Sequence, residues 1–208
     1  MTVEQLTITG EMPGIKAVQV QRGTVDHRNA YSQWNLCDYT GDDALRVLDA
    51  RLVFCQQMGI DLDQLVMPRQ THTTHVAVID QAYLDADIDQ QERLLNEVDA
   101  LVTALPDICI GVNTADCVPI ALADPVVGII GIAHAGWRGT VGRIAEHTVQ
   151  AMCRLGAKPR TSMPQWARAS APTALRWATR FPRHSHRQDL IWPTSCNAIP
   201  PRARPTST

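Results

Sequence analysis

Three polar segments of this 208-residue chain combine residue types that bind metal ions. Residues 69–75 read R-Q-T-H-T-T-H, residues 113–119 read N-T-A-D-C-V-P, and residues 133–140 read A-H-A-G-W-R-G-T. Each segment contributes one candidate ligand, namely His72, Cys117 and His134. Two imidazoles and one thiolate form a good donor set for zinc, and three protein ligands leave a fourth position for water or substrate. Zinc lowers the pKa of bound water to about 7, which predicts a nucleophile available at neutral pH.

Neighbouring residues suggest supporting roles. Asp116, beside the candidate thiolate, can orient a ligand or act as a base. Arg138 is a candidate phosphate contact because a guanidinium group pairs well with anions. Gly136 allows close backbone approach. Trp137 is expected to pack its helix against the sheet.

A second interpretation makes Cys117 the nucleophile of a cysteine hydrolase, with His134 or His72 as its base. The candidate ligands are dispersed along the chain and do not form a compact signature, so spacing alone leaves both interpretations open. His75 is expected to lie on a strand without a functional role.

The elements that must position these residues form a mixed α/β (α+β) pattern. Apolar periodicity predicts a helix that begins at Asp42 or Asp43 and is ended by Gly59. Strands are predicted at 65–67, 75–79, 99–103, 108–112 and 118–122. The apolar run 126–133 predicts a central strand buried on both faces. A second helix is predicted from Thr140 to Gly156. Helices and strands alternate irregularly, which favours a mixed β-sheet core with flanking helices.

Composition narrows the class of protein. The six cysteines are scattered without a CxxC pair, and the first ten residues contain no apolar signal segment, so a reduced, cytoplasmic location is expected. No apolar run approaches the roughly 18 residues of a membrane span. We therefore expect no membrane partner. The sequence leaves the oligomeric state and the order of substrate preference open.

Charge divides the chain into two parts. Residues 159–208 hold 8 Arg and a single acidic residue, which gives this part a net charge of +7. Because the whole chain has a net charge of −2, residues 1–158 carry a net charge of −9. The C-terminal part also holds 8 of the 13 prolines and shows no helix or strand pattern. A basic RNA-binding tail on a non-catalytic protein is one interpretation. We instead expect no nucleic-acid partner, a catalytic domain at 1–158 that is incomplete, and a disordered tail at 159–208.

The three polar segments, together with the strand sequence V-D-A-L-V-T at 98–103, resemble the laccase-domain, YfiH-like family of purine nucleoside phosphorylases. The residues W-N-L at 34–36, followed by G-D-D at 41–43 and a helix, are also similar to that family. The resemblance implies a YfiH-like fold and a zinc ion held by His72, Cys117 and His134. It further implies phosphorolysis of adenosine, inosine, guanosine or methylthioadenosine, with adenosine deamination in the same pocket.

The resemblance also makes Gln70, Asn35 and Arg22 candidate substrate-binding residues beside the catalytic candidates Cys117, His134, Asp116 and Arg138. Arg22 lies in a segment that keeps only part of the family's N-terminal pattern. The older family name implies copper-dependent polyphenol oxidation. We weigh this lower, because one Cys and two spaced His do not supply several copper sites.

The family's Gly-Pro-x-Ile and Phe-Glu-Val-Gly segments are absent after Lys158, where the C-terminal part of the fold is expected. Synonymous codons for residues 166–180 can be chosen so that a shifted frame encodes both segments. We therefore hypothesise that the reading frame slips near residues 158–163. Sequencing the gene across codons 150 to 208 tests this, and an uninterrupted present frame would refute it.

Overall fold

A computed structural model describes residues 3–6, 14–20, 31, 34–158 and 163–166. The strands are β1 (Val3–Leu6), β2 (Ala17–Val20), β3 (Leu65–Val66), β4 (Val76–Ile79), β5 (Ala100–Thr103), β6 (Cys109–Ile110), β7 (Val118–Asp124), β8 (Ile129–Ala135) and β9 (Met163–Trp166). The main sheet is mixed and has five strands in the order β4-β5-β8-β7-β9. Two smaller sheets pair β1 with β2 and β3 with β6.

Five α-helices accompany the strands in the described residues: α1 (Ala44–Met58), α2 (Gln81–Leu84), α3 (Ile88–Leu95), α4 (Trp137–Val141) and α5 (Ile144–Arg154). The predicted caps of α1 are confirmed. Asp43 accepts a hydrogen bond from the Arg46 N–H, and Gly59 ends the helix in the left-handed conformation. The short helices α2 and α3 were not predicted from the sequence, because neither carries a long apolar stripe.

The main sheet is covered on both faces. Helix α5 packs across β8, β5 and β4, and it buries Ile144 and Met152 against Ala100 and Val102. On the other face, Leu101 joins a second apolar cluster with Val66 and Ile79. Strand β8 lies in the middle of the sheet, as predicted, but its two faces differ: Ile129, Gly131 and Ala133 are buried, whereas Ile130 and Ile132 on the other face are only partly buried.

Strands β3 to β7 differ from their predicted bounds by one or two residues, and His75, which was predicted to lie on a strand, precedes β4. Two differences are larger. Strand β8 begins at Ile129, because Val126 and Val127 lie in the exposed turn that joins it to β7. The predicted single helix from Thr140 is two helices, α4 and α5. They are separated at Gly142 and Arg143, and Arg143 adopts a left-handed conformation with φ of 65°.

Strand β9 lies in the segment for which the sequence pattern predicted no strand. It pairs antiparallel with β7, from Ile120↔Trp166 to Ala123↔Met163, so it depends on a partner and not on alternation of its own residues. The remaining predictions for 159–208 lie outside the described residues. Among the helices that the structure describes, none has both the length and the apolar character needed to cross a membrane.

Candidate metal centre

The three candidate ligands meet at one end of the main sheet. His134 is the penultimate residue of β8, Cys117 immediately precedes β7, and His72 lies in the loop before β4. Strands β7 and β8 are antiparallel neighbours with Val118 opposite Ala135, which brings Cys117 next to the end of β8. The ligand atoms of His72, Cys117 and His134 all lie within 4.8 Å of one another.

This geometry fits a single tetrahedral ion. Zinc bonds of about 2.1 Å to nitrogen and 2.3 Å to sulfur place two such ligand atoms about 3.6 Å apart. The Cys117 Sγ and the His72 Nε2 are 3.8 Å apart. The rings of His72 and His134 stand edge to face at a centroid distance of 4.8 Å. A small inward movement brings the donors into bonding range, so the cluster can bind a metal ion.

Asp99 lies next to the ligands His134 and His72 and is fully buried. Its Oδ1 is 2.7 Å from His134 Nδ1, and its oxygens accept from the backbone N–H groups of Thr71, His72 and Thr73 at 3.2, 3.1 and 2.7 Å. Burial alone would raise the pKa of this carboxyl, but the hydrogen bonds from His134, Thr73 and Thr71 lower it to about 2. The side chain of Asp99 is therefore a carboxylate anion at neutral pH, and hydrogen-bond donors surround it.

Asp99 was missed as a site residue in the sequence analysis. The sequence feature that points to Asp99 is its position: an acidic residue directly before an apolar strand. The next three residues of that strand, Ala100, Leu101 and Val102, are completely buried. A carboxylate in such a position requires hydrogen-bond partners, because burying an unpaired charge is costly.

His72 itself has a left-handed backbone, with φ of 64°. This conformation is uncommon for residues other than glycine, although it occurs more often for histidine than for most, and the surrounding structure must hold it in place. The loop is tied to the 96–99 segment at further points: Thr73 Oγ1 donates to the Glu97 carbonyl at 2.8 Å, and His75 Nδ1 lies 3.0 Å from the same oxygen.

Gly136 closes the cluster from the side of α4. A Cβ at this position would lie 2.8 Å from His72 Cδ2 and 3.0 Å from Cys117 Sγ. The requirement for glycine is therefore steric, because its φ of −70° and ψ of 173° are open to any residue. The sequence prediction of close backbone approach at Gly136 agrees with this geometry.

The electrostatics around Cys117 oppose a free thiolate. Burial raises the pKa of its thiol, and the carboxylate of Asp116, whose Oδ1 lies 3.9 Å from Cys117 Sγ, raises it further. In the absence of a cation, Cys117 is therefore a protonated thiol at neutral pH.

The candidate substrate residues have different surroundings. Gln70 is buried and exchanges two hydrogen bonds with the Asn113 backbone, at 2.8 and 2.7 Å, which joins the His72 loop to the Cys117 segment. Asn35 bonds locally to Cys37, Thr40 and Asp42. Its described contacts organise the turn before α1 and do not reach the three ligands. Arg22 lies outside the described residues.

Arg138 and Trp137 form an exposed pair on α4, directly after Gly136. The Arg138 guanidinium lies 4.6 Å from the centre of the Trp137 ring, a cation–π contact. Trp137 is 56% exposed, so the expectation that it packs against the sheet is wrong. Trp137 is the first residue of the five-residue helix α4, and the residue of that helix that is buried is Gly139.

Residues 16–167 match the family described as multi-copper polyphenol oxidoreductase laccase. Adenosine deaminase RL5, from an unknown prokaryotic organism, is 61% identical to the chain over 155 residues, which cover 74% of this chain and 59% of that relative. A purine nucleoside phosphorylase of Bacteroides thetaiotaomicron is 40% identical over 122 residues, covering 59% of this chain and 45% of that relative. The chain thus spans about half the length of the curated relatives that it matches.

The fold is also similar to a solved structure, the hypothetical protein YfiH of Bacillus licheniformis. The TM-score is 0.55 at 28% identity, and the match covers 62% of this chain and 49% of that one. The predictions of a mixed α/β architecture and of a YfiH-like fold are therefore confirmed.

Proposed function

The chain belongs to the multi-copper polyphenol oxidoreductase laccase family, and from this membership we propose that it is a zinc-dependent purine nucleoside phosphorylase with adenosine deaminase activity. Two relatives carry these two activities in their names. The proposed substrates are adenosine, inosine, guanosine and methylthioadenosine with inorganic phosphate. The proposed location is the cytoplasm.

One observation carries the proposal: His72, Cys117 and His134, from three distant segments, converge on one another within 4.8 Å. One thiolate and two imidazoles suit zinc, and three protein ligands leave a position at which substrate can bind. A bound zinc ion would supply Lewis-acid polarisation of a substrate atom.

Proton transfer requires a carboxylate with a free oxygen, and Asp116 fits this requirement better than Asp99. Both oxygens of Asp99 already accept hydrogen bonds. Asp116 is exposed beside Cys117, so its side chain can reach a bound nucleoside. We assign it the general acid–base role: it takes a proton from the attacking dihydrogen phosphate in phosphorolysis, or from the attacking water in deamination, and passes it to the leaving purine or to the leaving amino group.

Arg138 is the proposed phosphate contact, because it is exposed and lies two residues after Gly136, where an added Cβ would meet the ligands His72 and Cys117. An Arg–phosphate contact contributes about 1.5–3 kcal/mol, so Arg138→Ala should raise the KM for phosphate roughly 10- to 100-fold. Deamination consumes no phosphate and should keep its rate, which gives an internal control. Arg154→Ala, at the exposed far end of α5, serves as the matched control variant. Steady-state assays at varied phosphate concentration measure the effect, and an unchanged phosphate dependence would remove Arg138 from this role.

A cysteine hydrolase with Cys117 as nucleophile is the competing proposal, supported by the 3.8 Å separation of Cys117 Sγ and His72 Nε2. A nucleophilic cysteine requires a lowered pKa, whereas burial and Asp116 raise the pKa of Cys117.

Copper-dependent polyphenol oxidation is less well supported than either of these two functions. In the part of the chain that the structure describes, one group of side chains, His72, Cys117 and His134, is arranged to hold a metal, and multicopper oxidation needs several copper sites.

The full chain, purified without added chelator, tests the proposal directly. We expect about one zinc per chain by elemental analysis, and protection of Cys117 from alkylation that is lost after chelation. With adenosine and phosphate, chromatography should detect adenine with ribose 1-phosphate, and inosine or hypoxanthine from deamination. A zinc-free protein that is inactivated by alkylation of Cys117 would favour the cysteine hydrolase instead.

A further inference from the structure

Asp99 contacts two of the three proposed ligands through different parts of each. It bonds the imidazole ring of His134 and the backbone N–H of His72 with the same oxygen, Oδ1. We infer that Asp99 is the positioning residue of this centre, because it fixes both the ring tautomer of His134 and the backbone geometry of His72. The inference rests on the proposed function in so far as that function requires a metal at these residues.

The tautomer follows from the neighbours of Asp99. Four nitrogen atoms face its two oxygens: the donating N–H groups of Thr71, His72 and Thr73, and Nδ1 of the His134 ring. The hydroxyl of Thr73 lies 2.9 Å from Oδ2 as well. A carboxylate accepts at both oxygens and donates at neither, so the proton of the His134 ring belongs on Nδ1. The lone pair of Nε2 is then directed to the other side, where His72 and Cys117 lie.

The backbone of His72 follows from the same carboxylate. The consecutive N–H groups of residues 71–73 converge on Asp99, and such a backbone concavity binds an anion when one residue is left-handed. His72 is that residue, with φ of 64°. Without the carboxylate, the hydrogen bonds that it accepts from residues 71–73 would be lost. These bonds would then no longer offset the cost of the left-handed conformation, which is about 1–3 kcal/mol.

Sheet register makes the arrangement possible. Ala100 pairs with Ala133 in the antiparallel β5–β8 ladder, so the preceding Asp99 lies beside His134 on the face of the sheet opposite α5. The His134 N–H also donates to the Asp99 carbonyl at 2.7 Å, which keeps the two residues side by side.

Asp99→Asn tests the inference with little change in volume. An asparagine has one acceptor oxygen and one NH2 group, so either orientation turns a donor toward His134 and His72 or toward Thr71 and Thr73. We expect the zinc affinity of the full chain, measured by competition with a chromophoric chelator, to fall 10- to 100-fold, the usual effect of removing a partner of a ligating histidine. In the zinc-free protein, nitrogen NMR of the histidine rings should show His134 protonated at Nδ1 in the parent chain and an altered ring state in the variant.

Asp124→Asn is the matched control. Asp124 is equally buried and also accepts backbone N–H groups, from Val126 and Lys158, but it lies at the opposite end of β7 from Cys117, about 20 Å away. We expect it to lower thermal stability while zinc affinity and the His134 ring state stay unchanged. If Asp99→Asn does not fold, Thr73→Val tests the inference instead, because it removes the hydroxyl that contacts Asp99. We expect Thr73→Val to weaken zinc binding severalfold and Thr73→Ser, which retains the hydroxyl, to bind zinc like the parent chain.

The outcomes separate this inference from the proposed function. Zinc affinity within twofold of the parent in Asp99→Asn, or a His134 ring in the zinc-free parent chain that carries its proton on Nε2 and none on Nδ1, would overturn the role of Asp99 and leave the proposed function standing. A parent chain that binds zinc no better than His72→Ala would defeat the proposed function. The ring state in the zinc-free chain would still decide whether Asp99 sets the tautomer.

Discussion

His72→Ala is expected to eliminate stoichiometric zinc together with both proposed activities, whereas His75→Ala is expected to retain them. The two histidines are three residues apart in the same loop, and both are exposed. Only His72 places a ring nitrogen among the other ligand atoms, 3.8 Å from Cys117 Sγ. The side chain of His75 is directed away, with Nδ1 bonded to the Glu97 carbonyl.

The expected loss is large because a three-ligand site becomes a two-ligand site. Structural zinc sites with four protein ligands bind the ion with about 10–16 kcal/mol, so each ligand there contributes roughly 3 kcal/mol or more, and we expect a similar loss for one ligand of this site. Affinity should therefore fall at least about 100-fold. Elemental analysis after gel filtration, followed by the nucleoside assay with excess zinc, measures both effects.

His75→Ala controls for damage to the loop. It removes one exposed hydrogen bond, a loss of about 1 kcal/mol of stability, and leaves the ligand atoms in place. Equal zinc loss in both variants would mean that the loop as a whole, and not the His72 imidazole, determines binding. Full zinc retention in His72→Ala would place the metal elsewhere.

The parts of this site that were predictable from the sequence are those that depend on residue type and local order. Helix α1 carries its cap residue Asp43 and its terminating Gly59 in the sequence itself. The ligands His72, Cys117 and His134 stand where polar residues interrupt or flank apolar strands. The chemistry of imidazole and thiolate therefore indicated a metal before any contact was known.

The parts that were not predictable depend on contacts between distant residues. Asp99 acquires its role from the β5–β8 register and from the left-handed turn at His72, and neither is visible in a local pattern. Strand β9 exists through its pairing with β7. The break between α4 and α5 at Gly142 likewise reflects tertiary packing, because a Cβ there would overlap the Thr74 side chain. Apolar periodicity continued smoothly across this break, so the sequence predicted one helix.

Gly136→Ala should impair metal binding while leaving the fold intact. The added methyl group would lie 2.8 Å from His72 Cδ2 and 3.0 Å from Cys117 Sγ, closer than carbon and sulfur atoms approach without displacement. The backbone at Gly136 already suits alanine, so the strain falls on the two ligand side chains, which can rotate away. A displacement of about 1 Å at a reacting centre can cost roughly 100-fold in rate. We expect a loss of 10- to 100-fold in both zinc affinity and activity, with a melting temperature close to that of the parent chain.

Gly111→Ala provides the comparison that isolates the steric effect. Gly111 also lacks a positive φ, and a Cβ there would meet its nearest neighbour, Met67 Cγ, at an ordinary 3.6 Å. This variant should match the parent in zinc affinity, measured by chelator competition beside Gly136→Ala. If Gly136→Ala also binds zinc as tightly as the parent, His72 and Cys117 cannot both be ligands in the arrangement described, because the methyl group occupies the space that their side chains need. The pair of variants therefore tests the packing of the centre independently of the chemistry of its ligands.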